Sequence, residues 1–131
     1  MKSRPRIGQT AEIRFSVTKQ HIIDFATHGM PEILSTPWLI WFLEHTAREA
    51  MLPFLEPTES TVGIQVEVEH LAASPIGANV TCQAKVIFSD KSQFSFELRA
   101  WDDAELICKG THKLRVIQIN RLAANVAKKL S

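Results

Sequence analysis

Ser35-Thr36-Pro37-Trp38-Leu39-Ile40-Trp41-Phe42-Leu43-Glu44-His45-Thr46-Ala47-Arg48-Glu49-Ala50-Met51-Leu52 begins as a helix begins. Thr36 can serve as the N-cap, its hydroxyl accepting from a free backbone N–H, and Pro37 suits the first helical position. Trp38 to Leu43 is apolar without a break. A helix apolar on every side is normally buried. Glu44 follows directly, and an ionised carboxylate in such a place is costly unless it is paired, hydrogen-bonded or hydrated. Glu44 is therefore the residue to explain.

On the C-terminal side, Pro53 to Ser60 carries two prolines among polar residues and reads as a connection. Four alternating segments follow. Ile64, Val66, Val68 and His70 share one parity, as do Val80, Cys82, Ala84, Val86 and Phe88. Phe94, Phe96, Leu98 and Ala100 form the third row; Leu106, Cys108, Leu114 and Val116 form the fourth, with Gly110 and His112 in phase. Short turns at Ser74-Pro75-Ile76-Gly77, Ser89-Asp90-Lys91 and Asp102-Asp103 imply antiparallel pairing. On the N-terminal side, Met1 to Gln9 reads as a loose basic arm, and Ala11 to Val17 as a first strand. Thr18 is placed to cap a short helix from His21 to Thr27, and Asn120 to Leu130 reads as a terminal helix.

The order is strand, short helix, long apolar helix, then four antiparallel strands. A sheet with one apolar face needs a cover, and the long helix is the adequate one. An α+β hotdog fold is expected, with a buried helix wrapped by a five-stranded antiparallel sheet in a single domain spanning residues 1–131. A helix carrying Trp38 and Trp41 is too apolar for cover on one side, which predicts a homodimer.

Composition narrows the function. A net charge of +1 gives no basic field for nucleic acid or an anionic membrane. No apolar h-region follows the basic start, no run is long enough to span a bilayer, and Cys82 and Cys108 lack paired metal-ligand spacing. A reducing, cytoplasmic setting is the expectation. No metal site, P-loop, nucleophile elbow or dinucleotide fingerprint is found.

His70 is the second anomaly, because its parity with Ile64, Val66 and Val68 faces it toward the helix that carries Glu44. A carboxylate–imidazole pair can position a water, or the carboxylate can attack an acyl carbon; the bland alternative is a satisfied internal pair. Thr36 is either a cap or a third member. Eight helical residues span roughly 12 Å, so Thr36 and Glu44 cannot touch within one straight helix. Either the chain folds back before the helix, or the Thr36 that approaches Glu44 belongs to a second protomer. His112 reads as a supporting or packing histidine, with a bulge allowed by Gly110. His21, His28 and His45 read as surface or loop residues, and Arg48 and Glu49 as the solvated end of the helix.

Thr36-x7-Glu44, Leu52-Pro53-Phe54-Leu55-Glu56-Pro57, Gly63, His70-Leu71-Ala72-Ala73-Ser74-Pro75-Ile76-Gly77 and Gly110-Thr111-His112 together resemble the fluoroacetyl-CoA thioesterase group of hotdog thioesterases. The resemblance spans about Thr36 to Ile117. It implies hydrolysis of an acyl-CoA thioester by Thr36, Glu44 and His70, with Gly63 lining the acyl pocket. It implies a homodimer, with a dimer of dimers as the larger alternative, and no metal or cofactor beyond the CoA thioester substrate. Met30 stands where the group has a phenylalanine gate, and Trp38 and Trp41 replace small residues, so fluoroacetate specificity is not implied. The competing reading is a non-catalytic hotdog protein that binds acyl-CoA as a sensor or carrier. The Asp/His arrangement of a hotdog dehydratase is not found.

Overall fold

The computed structural model describes residues 1–130. Its strands are β1 (Thr10–Ser16), β2 (Glu59–His70), β3 (Asn79–Asp90), β4 (Gln93–Trp101) and β5 (Leu106–Gln118). The long helix α1 (Thr36–Met51) precedes β2, and α2 (Ile119–Ala127) follows β5. All five strands pair antiparallel in one sheet, in the order β1-β3-β4-β5-β2. This is the hotdog fold that the order of elements implied.

The core follows from two periodicities. Leu39, Leu43, Ala47 and Met51 recur every four residues along α1 and are all 0% exposed. The inward rows of the sheet meet them: Val80, Cys82, Ala84 and Val86; Phe94, Phe96, Leu98 and Ala100; Cys108, Leu114 and Val116. Each large side chain removed from water here contributes roughly 1.5–3 kcal/mol. The helix is not covered all round, however. Trp41 is 46% exposed, on the side of α1 that the sheet does not reach.

Several expectations are corrected. The cap of α1 is Ser35, one residue earlier than expected. Its hydroxyl accepts from the Trp38 N–H at 3.3 Å, and its own N–H donates to the His21 carbonyl at 2.8 Å. Thr36 is thus inside the helix and its hydroxyl is free for other work. The expected helix from His21 to Thr27 is a single 3-10 turn, Lys19–His21. Beyond it the chain extends, because Ile22 pairs with Leu34 and the Ile23 N–H donates to the Ile33 carbonyl. These cross-loop bonds replace the bonds a helix would make. Nor is His21 a surface residue: Thr18 N–H donates to its Nδ1, and Phe15, Trp38 and Phe42 pack edge-on against its ring. His45 stacks on Trp41 at 3.8 Å.

The N-terminal arm is pinned rather than loose. Lys2 N–H donates to the Phe54 carbonyl, and Arg4 bonds Ser89 and Lys91 while lying 4.8 Å over the Phe94 ring. The bulge anticipated at Gly110 is absent. Gly110 pairs in register with Val68 and Leu98, and a Cβ there would collide with the Glu67 carbonyl and Val68. The bulge lies in β2 instead: Gly63 pairs with Leu114 and Gln65 with Lys113, leaving Ile64 as the extra residue. Ile64 therefore leaves the inward row and is 44% exposed, while Gly63 takes an inward place. A second bulge between Val86 and Phe88 turns Phe88 outward in the same way. The terminal helix starts one residue early, at Ile119, and tightens into a 3-10 turn at Lys128–Leu130.

Candidate active site

Thr36, Ile40, Glu44 and Arg48 recur every four residues and form one stripe of α1. That stripe runs against β2 in the opposite sense. Thr36 meets His70 at the end of β2, Glu44 meets Gly63 near its middle, and Arg48 meets Ser60 and Thr61 near its start. The strand delivers these partners on one face because the bulge at Ile64 resets the alternation between Gly63 and Val66.

The Thr36 hydroxyl lies 2.8 Å from His70 Nδ1. Burial holds the His70 imidazole below its ordinary pKa, against a smaller opposing pull from the Ala72 backbone. The ring is therefore neutral at neutral pH, and one of its nitrogens is an acceptor. His70 Nε2 is buried and without a partner, the one such side-chain atom among the described residues. An unsatisfied buried polar atom is costly, so a native fold keeps few of them and each has a reason, a catalytic role among them. Thr36 itself is exposed. It lies on the wall of a cleft of about 700 Å³ bounded by Ile22, Ile23, Phe25, Pro37 and Trp38.

Glu44 occupies a second cleft, of about 310 Å³, with Arg48, Thr61, Gly63 and His112. A Cβ built on Gly63 would sit 3.7 Å from Glu44 Oε2 and 3.3 Å from His112 Cε1. The carboxylate and the imidazole thus converge over a residue with no side chain. His112 is 3% exposed, and its Nδ1 lies 3.0 Å from the Gln65 carbonyl.

The Glu44–His70 pair expected from parity is not made within one protomer, since His70 bonds Thr36 through Nδ1 and nothing through Nε2. The reason is length: seven residues of strand from Gly63 to His70 cover roughly 23 Å, so the two ends of the stripe reach different histidines. Met30 stands at the exposed tip of the loop, beside the turn made by His28 and Gly29 at positive φ, and lines neither cleft. Sequence reasoning passed over Phe25, which walls the Thr36 cleft, and Arg48, whose guanidinium donates to the hydroxyls of Ser60 and Thr61. Arg48 carried a readable signal, its four-residue spacing from Glu44. No group of three or more His, Cys, Asp or Glu among the described residues is arranged to hold a metal ion.

The model of the family described as fluoroacetyl-CoA-specific thioesterase matches residues 17–120. The fluoroacetyl-CoA thioesterase of Streptantibioticus cattleyicolor is 31% identical over 137 residues, covering 98% of this chain and 97% of the relative. A solved structure of the fluoroacetyl-CoA thioesterase FlK superposes with a TM-score of 0.90 at 28% identity, covering 97% of this chain and 98% of that one. A hot-dog-like protein of Thermanaerovibrio acidaminovorans, at 19% identity, shares the fold with a TM-score of 0.87 over 95% of this chain and 93% of that one. The segment matched by the family model contains both clefts, and the chain belongs to the fluoroacetyl-CoA-specific thioesterase family of thioester hydrolases.

Proposed function

We propose that this protein hydrolyses a short or medium acyl-CoA thioester to the free acid and CoA, as a homodimer whose sites draw Thr36 and His70 from one protomer and Glu44 from the other. The observation that carries this reading is the contact at 2.8 Å between Thr36, on the wall of a cleft, and a His70 imidazole whose pKa burial lowers. Roughly 12 Å of helix separates Thr36 from Glu44 in one chain, too far for both to touch one thioester carbonyl. Two features favour the second protomer: the apolar Trp41 and Ile64 are exposed, and β2, which carries Gly63 and His70, is an edge strand with unpaired backbone groups.

In this reading the thioester carbonyl lies against the N-terminus of α1, whose dipole favours the developing oxyanion. The Thr36 hydroxyl, held by His70, orients that carbonyl. Glu44 of the partner subunit takes a proton from water as the water oxygen bonds to the acyl carbon. The C–S bond then breaks, the electron pair leaves with sulfur, and the thiolate takes up the proton. A thiolate leaves readily, so weak acid assistance suffices.

The test is thiol release across acyl-CoA thioesters from acetyl to dodecanoyl, fluoroacetyl included. Wild type should turn over one or more of them, and Glu44→Gln should lose about 10²–10⁴ in rate, the usual share of a general base. Binding without turnover across the whole panel would instead assign the fold an acyl-CoA sensor or carrier role.

A further inference from the structure

We propose that His112 is a positioning residue for the hydrolytic water that Glu44 activates, and that Gly63 is the floor on which the two groups hold it. The proposal rests on the hydrolase reading above and adds to it the group that aims the nucleophile. It begins with a hydrogen bond whose direction is forced. A carbonyl oxygen only accepts, so His112 Nδ1, 3.0 Å from the Gln65 carbonyl, must carry the hydrogen. In the neutral ring Nε2 is then a bare acceptor.

The ring that carries this acceptor forms part of the wall of the cleft that contains Glu44. The carboxylate and the ring approach one point above Gly63, at 3.7 Å and 3.3 Å from where a Cβ would stand. Arg48 does not intervene, since its guanidinium is turned to the hydroxyls of Ser60 and Thr61. Two acceptors on one small cleft are a match for a water molecule, which has two hydrogens to donate. A water so held has its lone pairs directed away from both groups, toward the open side of the cleft, where an acyl carbon can approach. In the step, one O–H proton passes to Glu44, the other stays hydrogen-bonded to His112 Nε2, and the oxygen bonds to the acyl carbon as C–S cleavage releases the thiolate.

The bulge at Ile64 is part of the device. It brings Gly63 into the inward row opposite Leu114, and it sets Val66 opposite His112, beside the Gln65 carbonyl that fixes the ring. In β2 without the bulge, the residue over His112 would carry a side chain.

The test compares His112→Asn with His112→Gln at pH 8, where a free imidazole is neutral. Asparagine can keep the bond to Gln65 but is too short to offer the second acceptor, whereas glutamine can place an amide oxygen near the position of Nε2. The expected result is a kcat about 10²-fold lower for His112→Asn with KM and melting temperature held, and recovery of about tenfold in His112→Gln. ¹⁵N spectra of the wild type should show His112 as the Nδ1–H tautomer. A kcat for His112→Asn within about threefold of wild type, with wild type active, would overturn the proposal and leave the hydrolase reading standing. A loss of rate that tracks a fall in melting temperature, or an Nε2–H tautomer, would overturn it equally. Absence of turnover in wild type would remove both.

Discussion

Gly63 lacks a side chain because of its neighbours, not its backbone. It needs no positive φ; what it must admit is His112 Cε1 at 3.3 Å and Glu44 Oε2 at 3.7 Å from a would-be methyl. Gly63→Ala should therefore cost about 1–3 kcal/mol by crowding the His112 ring, with Glu44 left in ordinary contact, and should lower kcat more than it lowers the melting temperature, because the crowded ring is a site residue. Calorimetry beside steady-state kinetics reads the two effects separately, and unchanged kinetics would remove Gly63 from the site. His70 makes a pH prediction whose sign follows from its burial. Its pKa is lowered from 6.5 in the folded protein, so below that pH the unfolded chain binds a proton that the native chain refuses. Stability contributed by the neutral ring is present above pH 6.5 and declines as pH falls toward the lowered value. Denaturant unfolding from pH 8 to 5 should show that decline in wild type and less of it in His70→Ala. The acid limb of activity should lie below the ordinary imidazole range for the same reason. The apolar run before Glu44 and the strand parity of His70 were enough to single out both as misplaced ionisable groups. Within one protomer the two are not paired, because pairing depends on how the helix crosses the strand, a quantity that periodicity does not contain.

At the scale of elements, α1 was the most legible part of the chain, since proline, a capping hydroxyl and an unbroken apolar run agree. The cap itself was misplaced by one residue, and the displacement matters chemically. A Thr36 spent on capping could not bond His70; Ser35 caps, and Thr36 is released to the site. Ser35→Ala should cost about 1 kcal/mol of stability, the usual worth of an N-cap, and should reduce turnover by loosening the first turn that aims Thr36. Melting temperature and kcat measured on one preparation would separate these, and a stability loss without any change in kcat would mean that the first turn holds its place uncapped. The segment from Ile22 to Leu34 was not legible, because its extended course is fixed by bonds between its own two ends and to Ser74, which no local propensity records. The bulge at Ile64 was hidden for a related reason. Alternation in β2 continues on both sides of it, and only the register against β5 reveals the extra residue. Gly110 misled in the opposite direction, its glycine being required by close backbone approach rather than by a bulge.

At the scale of the molecule, the sheet closes over one side of α1 and leaves Trp41, with His45 stacked on it, turned outward. The apolar excess along the helix was legible in the sequence; which strand edge lies beside it emerges only from the strand order. If sites are shared between protomers, inactive variants should repair one another. Thr36→Ala and Glu44→Gln would each be dead as homodimers. In a mixed dimer one site would carry both lesions and the other neither. Random reassortment makes half the dimers mixed with one intact site each, so unfolding and refolding an equimolar mixture should restore about a quarter of wild-type activity. If instead each site used Thr36 and Glu44 of one chain, every site in every dimer would hold a lesion and mixing would restore nothing. The measurement is thiol release before and after co-refolding, with sedimentation confirming dimers in each sample. The roughly 12 Å between the two residues along α1 makes restoration the expected result.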